Sequence, residues 1–199
     1  MKHRIVYVHG RGGGAAEAEH YARLFPGCEV VGFDYRAQTP REARDEFPRF
    51  FGSLRSNCDS PTLIANSIDA FFSMTSLSAE HVDRALFISP IVDMEKLILN
   101  MLAWAGITEA ELRARKVIPT DFGESLSWDY LCDVRSHPLQ WSVPTRILYG
   151  DRDNLTSMET VSAFAARIGA RLTVMPGGEH WFHTPEQMRF LDEWIRGSY

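Results

Sequence analysis

Apolar and β-branched residues concentrate in six short runs, at residues 4–8, 29–33, 62–65, 85–89, 146–149 and 171–175. Within each run the apolar positions are nearly continuous instead of alternating, as in strands that helices cover on both faces. The intervening segments carry helix punctuation. Thr39-Pro40-Arg41-Glu42 combines a cap residue, proline at the first helical position and glutamate three residues after the cap, so a helix starts there, with Pro48 expected to kink or divide it. Thr156-Ser157-Met158-Glu159 is read as a second capping box, for a helix through Ala163, Phe164 and Ile168 that stops at Gly169. Thr184-Pro185-Glu186-Gln187 opens a final helix whose inner face carries Met188, Leu191, Trp194 and Ile195.

Strand and helix alternate throughout, which predicts an α/β fold with right-handed crossovers. One interval breaks the alternation. More than about fifty residues separate the fourth run from the fifth, too many for an ordinary crossover. Residues 91–141 read as helical and are rich in large apolar groups, among them Met94, Leu97, Ile98, Leu99, Met101, Leu102, Trp104, Trp128, Tyr130 and Trp141. They are expected to form an extra helical layer or a small cap over the carboxyl ends of the strands, where open α/β sheets bind ligands.

Composition adds limits. A chain of 199 residues with 45% hydrophobic and 24% charged residues predicts one globular domain, not a disordered or fibrous chain. Its 21 basic and 26 acidic residues leave a net charge of −5, with no basic footprint for nucleic acid or an anionic membrane. Cys28, Cys58 and Cys132 are odd in number and widely spaced, which suggests a reducing compartment and no structural disulfide or zinc site. The basic start Lys2-His3-Arg4 is followed by too short an apolar run for a signal peptide, so the expectation is a soluble cytoplasmic protein.

Candidate chemistry lies just after the strands. His9-Gly10-Arg11-Gly12-Gly13-Gly14-Ala15 follows the first strand and opens a helix, so its N–H groups face whatever lies above that strand. One reading is a dinucleotide fingerprint of Gly10, Gly12 and Ala15, with Asp34 near the ribose-binding position. The other takes His9-Gly10 as an oxyanion loop, with the Arg11 N–H as one donor. That reading needs a nucleophile, and Ser67 stands where the third strand runs directly into a helix. Asp151 and Asp153 follow the fifth strand and His180 follows the sixth, so serine, acid and histidine each lie beyond the carboxyl end of a different strand.

On these residues the chain resembles a small, bacterial-type α/β-hydrolase of the serine hydrolase class. The similarity rests on His9-Gly10, Ala65-Asn66-Ser67-Ile68, Gly150-Asp151-Arg152-Asp153 and Gly178-Glu179-His180, in that order. It implies a three-layer α/β/α sandwich with a six-stranded, mainly parallel sheet lacking the family's two N-terminal strands. Residues 1–199 would form one such domain, with a helical cap inserted at 91–141. Ser67 would be the nucleophile, His180 the general base and then acid, and Ile68 N–H the second oxyanion donor. Asp153 would orient the histidine, in preference to Asp151 because the family's acid lies three residues after the loop glycine, here Gly150. His183 is the competing histidine, read as a rim residue beside the cap Thr184; His3, His20, His81 and His137 read as surface residues.

Asp69 departs from the pattern, because a small residue usually stands two positions after the nucleophile. A side chain there is expected to overpack the helix against the sheet and, if charged, to oppose the oxyanion. On that reading Asp69→Gly would raise both stability and turnover. The expected reaction is hydrolysis of a small, neutral carboxylic ester, with no metal or organic cofactor, a small-molecule acyl substrate as partner, and neither nucleic acid nor membrane. Trp104, Trp128, Trp141, Trp181 and Phe182 are candidates to line the acyl pocket, although core packing is the more ordinary role for each. The alternatives are a catalytically impaired ligand-binding protein of the same fold and the dinucleotide-binding protein.

Overall fold

The computed structural model describes residues 3–54 and 60–199; Cys58 lies outside the described residues. Its strands are β1 (Arg4–Val8), β2 (Glu29–Gly32), β3 (Thr62–Asn66), β4 (Arg84–Ile88), β5 (Val117–Pro119), β6 (Ser125–Ser127), β7 (Thr145–Gly150) and β8 (Arg171–Met175). The helices are α1 (Ala18–Ala22), α2 (Pro40–Leu54), α3 (Ser67–Ser76), α4 (Met94–Trp104), α5 (Glu109–Arg115), α6 (Trp128–Ser136), α7 (Met158–Ile168) and α8 (Pro185–Ser198). Six strands form one sheet in the order β2-β1-β3-β4-β7-β8, and every pairing in it is parallel.

Alternate residues of each central strand feed two cores, which explains the near-continuous apolar runs. Val6, Leu63, Ala65, Phe87 and Ile147 face one core with Phe47 and Phe51 of α2, Phe71 of α3 and Phe164 of α7. Ile5, Tyr7, Ile64, Leu86 and Leu148 face the other, against Tyr21 of α1 and Leu191 and Ile195 of α8. Helix α2 runs unbroken past Pro48, contrary to a division there. Its buried Ala43, Phe47 and Phe51 hold it on the sheet despite the hydrogen bond that proline removes.

Two local expectations are corrected. The second cap is Ser157, whose Oγ accepts the Thr160 N–H. Thr156 is buried one residue upstream, with its carbonyl accepting the Tyr149 hydroxyl at 2.6 Å. The interval 91–141 is not wholly helical: besides α4, α5 and α6 it contains the antiparallel pair β5 and β6. Strands of three residues are too short to show a period, and the Gly123 turn between them, at φ +86°, is their one sequence signal. Leu112, Ile118, Leu126 and Leu131 from this interval join the same core as the sheet. No helix among the described residues is long and apolar enough to cross a membrane.

Candidate active site

The chain leaves β1 for β2 on one side of the sheet and returns to β3 on the other, so the strand order reverses at β1 and β3. Connections diverge there and leave a crevice at the carboxyl edge. The loop after β1 and the start of α3 both open into it. Ser67 is the first residue of α3 and has φ +48°, a left-handed conformation that costs a non-glycine residue about 1–3 kcal/mol. Neighbouring contacts hold it: the Ser67 carbonyl accepts the Ile91 N–H at 3.0 Å, and the Asn66 amide donates to Tyr7 Oη at 2.9 Å.

The loops after β7 and β8 are laced together. The Arg152 N–H donates to the Gly178 carbonyl at 2.8 Å, and a Cβ on Gly150 would lie 2.3 Å from that same oxygen. Only glycine permits this approach, which brings Asp153 to His180. His180 Nδ1 lies 2.7 Å from Asp153 Oδ2, and His180 Nε2 lies 2.7 Å from Ser67 Oγ. With its Nδ1 proton donated to the carboxylate, the imidazole presents Nε2 as an acceptor for the serine proton. Asp153 is fixed in turn, since its Oδ1 accepts the N–H groups of Leu155 at 2.8 Å and Thr156 at 3.0 Å, and its side chain is fully buried.

No protein-family model matches the chain, and no curated protein sequence does. Solved structures do. Est1E from Butyrivibrio proteoclasticus superposes with a TM-score of 0.76 at 15% identity, over 99% of this chain and 86% of that one. Mouse alpha/beta hydrolase domain-containing protein 10 gives 0.73 at 17% identity, over 98% and 88%. The esterase Pf2001 from Pyrococcus furiosus gives 0.64 at 20%, over 99% and 80%. The chain has the α/β-hydrolase fold. Within that fold, Ser67, Asp153 and His180 occupy the carboxyl ends of β3, β7 and β8 in the order read from the sequence.

Ser67 opens onto a cavity of about 180 Å³ walled by Ile91, Met94, Leu97, Ile98, Met101 and Leu126. Arg11 and Ile68, the expected oxyanion donors, line the same cavity. Ile68 lies in the first turn of α3, where helical N–H groups have no partner within the helix. None of the five aromatics considered for the pocket lines it. Trp141 and Phe182 are buried in the two cores, Trp104 and Trp181 are exposed, and Trp128 lies beneath the Arg113 guanidinium. The aromatic ring that does line it is Tyr130 of α6, beside Met94, Leu97, Ile98 and Met101 of α4. His183 is exposed, stacked on Trp181 and hydrogen-bonded to its carbonyl, away from Ser67. Asp151 is exposed and accepts the Gly177 N–H at 2.7 Å.

The glycine loop is already filled from within. Glu17 accepts the Gly14 N–H at 3.2 Å and the Tyr7 hydroxyl at 2.5 Å, and a Cβ on Gly13 would lie 2.5 Å from the same carboxylate. A pyrophosphate would meet that negative charge where it needs N–H donors, and Asp34 is exposed beyond β2. Gly12, at φ +79°, serves the turn that carries Arg11 to the cavity.

Asp69 is accommodated, contrary to the crowding expected of it. It is fully buried and accepts the Tyr35 hydroxyl on Oδ1, while Oδ2 meets no hydrogen-bonding group among the described residues. Burial pushes its pKa up to about 7, against the opposing pulls of Tyr35 and Arg11. Tyr35 and Glu124 went unrecognised in the sequence. Glu124, in the turn between β5 and β6, forms an ion pair with Arg11 across the cavity mouth. Tyr35 follows β2 at the carboxyl edge of the sheet, a position that was its only available signal.

Proposed function

We propose that this α/β-hydrolase-fold chain is a serine hydrolase that cleaves small, neutral carboxylic esters through an acyl-enzyme on Ser67. The continuous hydrogen-bonded line Asp153–His180–Ser67 at the mouth of an apolar cavity supports this reading most directly. His180 Nε2 takes the serine proton as Oγ attacks the ester carbonyl, and the carbonyl oxygen becomes an oxyanion facing the Arg11 and Ile68 N–H groups. The tetrahedral intermediate collapses with loss of the alcohol, which leaves with the proton from His180. Water then attacks the acyl-enzyme, with His180 again the base, and releases the acid and free Ser67. Side chains, two backbone N–H groups and water take part in this sequence.

The cavity bounds the substrate. Drug-sized ligand sites occupy roughly 300–1,000 Å³. At about 180 Å³ the space beside Ser67 suits a short acyl group, and its apolar walls favour an uncharged one. The esterases among the solved neighbours agree with this class of reaction. Intact-mass spectrometry after treatment with a fluorophosphonate tests the proposal. One adduct is expected on the native chain and none on Ser67→Ala, with 4-nitrophenyl butyrate hydrolysis lost in parallel. An adduct that survives the substitution removes Ser67 from the chemistry, and no adduct on the native chain leaves a ligand-binding protein of this fold.

A further inference from the structure

Two segments shape the space where an oxyanion would form: the loop carrying His9, Gly10 and Arg11, and the first turn of α3 carrying Ile68. One side chain touches both. The Tyr35 hydroxyl donates to Asp69 Oδ1, one residue past Ile68, and lies 3.4 Å from the His9 carbonyl, two residues before Arg11. Its ring stacks on the His9 imidazole, with centroids 4.6 Å apart at 18°. A phenol has one proton to donate. In the present arrangement Asp69 takes it, and the His9 carbonyl sits at the long limit of a hydrogen bond.

We propose that Tyr35 and Asp69 form a proton-dependent strap across the oxyanion pocket, open and slow when Asp69 is charged, closed and fast when it is protonated. Protonation of Asp69 from solvent makes its carboxyl O–H a donor to Tyr35 Oη. The phenol proton is then free to turn to the His9 carbonyl, and the loop bearing Arg11 is tied to α3. The same proton removes a negative charge two residues from the nucleophile, where it opposes the oxyanion. This inference rests on the serine-hydrolase reading above and assigns positioning roles to Tyr35 and Asp69.

The other groups that face Asp69 do not obscure its titration. Tyr7 from β1, Tyr35 after β2 and Tyr130 from α6 all interact with it, and burial raises each phenol well above its ordinary value, so all three stay neutral. Arg11 is the cation that acts on Asp69, and it is itself paired with Glu124. His9 faces Tyr35, and His180 bonds Ser67. Burial places the pKa of Asp69 at about 7, so its charge changes across neutral pH.

The test is kcat and KM for 4-nitrophenyl butyrate from about pH 5.5 to pH 9.5 on the native chain, Asp69→Asn and Tyr35→Phe, beside fluorophosphonate labelling of each. The native kcat/KM is expected to rise and then fall by about fivefold to tenfold through neutral pH. Asp69→Asn, a permanently uncharged counterpart that still bonds Tyr35, loses the alkaline fall. Tyr35→Phe lowers kcat several-fold with KM little changed, because it cuts the strap without touching the cavity wall. An Asp69→Asn profile that keeps the native alkaline fall overturns the proposal, as does a native profile that stays level to pH 9.5. Failure of labelling in all three chains overturns instead the serine-hydrolase reading on which it stands.

Discussion

Two aspartates lie close to Ser67, and the fold treats them in opposite ways. Asp153 sits in the loop after β7, where two backbone N–H groups and the His180 imidazole satisfy its carboxylate, so complete burial of the charge is compensated. Asp69 sits in the first turn of α3, equally buried, with the Tyr35 hydroxyl as donor to one oxygen and nothing among the described residues for the other. Buried carboxylates stay ionised when donors replace the lost water, and take up a proton when they do not. Donor count, not depth, separates a residue suited to hold a charged histidine from one suited to switch.

The sharpest way to break this contrast is Asp153→Asn. The amide keeps the shape but can donate to His180 Nδ1, which favours the wrong tautomer and deprives Nε2 of its acceptor role. A fall in kcat of about 10⁴-fold is expected for such a change, with KM little altered. Steady-state kinetics on a short-chain ester measure it. A fall of less than tenfold would mean that the carboxylate at Asp153 is structural.

Asp69→Asn addresses stability separately from turnover. The pKa of Asp69 rises from 3.8 to about 7 on folding. The folded state therefore holds the proton more tightly than the unfolded chain, and the resulting stability is fully present below pH 3.8 and lost as pH rises to about 7. Replacing the ionisable group removes that loss. The asparagine chain should match the native one near pH 4 and exceed it at pH 8 by on the order of 2–4 kcal/mol, read from urea unfolding at both pH values. Equal stability at both would show that Asp69 is solvated as well as Asp153 is bonded.

The six strand segments along the chain and the candidacy of Ser67, Asp151, Asp153 and His180 were legible as local pattern, whereas the choice of Asp153 over Asp151 came from the family resemblance. Near-continuous apolar runs mark strands buried on both faces, and loop residues immediately after parallel strands share one edge whatever the details of packing. What escaped depends on contacts between distant segments. Tyr35 reaches Asp69 across 34 positions, and nothing local distinguishes it from a strand-end tyrosine. The cavity wall went to the aliphatic side chains of α4 and not to the tryptophans, since aromatic size alone does not say whether a ring faces cavity, core or solvent. Asp69 was read as a steric intruder because neighbours along the chain could not reveal the space beneath Tyr35. By pattern alone the glycine loop fits two templates, and the Glu17 carboxylate among its N–H groups is what separates them.

A third aspartate supplies the smallest expected effect and the most selective control. Asp151 lies two residues from Asp153 in the same loop, yet it is exposed and its carboxylate accepts the Gly177 N–H. If donor count and connection to His180 define the acid, then charge at Asp151 is irrelevant to the chemistry. Asp151→Asn, which preserves the acceptor oxygen, should leave kcat/KM within about twofold, and an exposed hydrogen bond of this kind is worth about 0.5–1.5 kcal/mol even if it is lost entirely. Melting temperature and ester hydrolysis measured on the same preparation check both expectations. A hundredfold loss of activity with an unchanged melting temperature would transfer the acid's role from Asp153 to its exposed neighbour, and the contrast drawn from burial and donors would fail at its best-defined point.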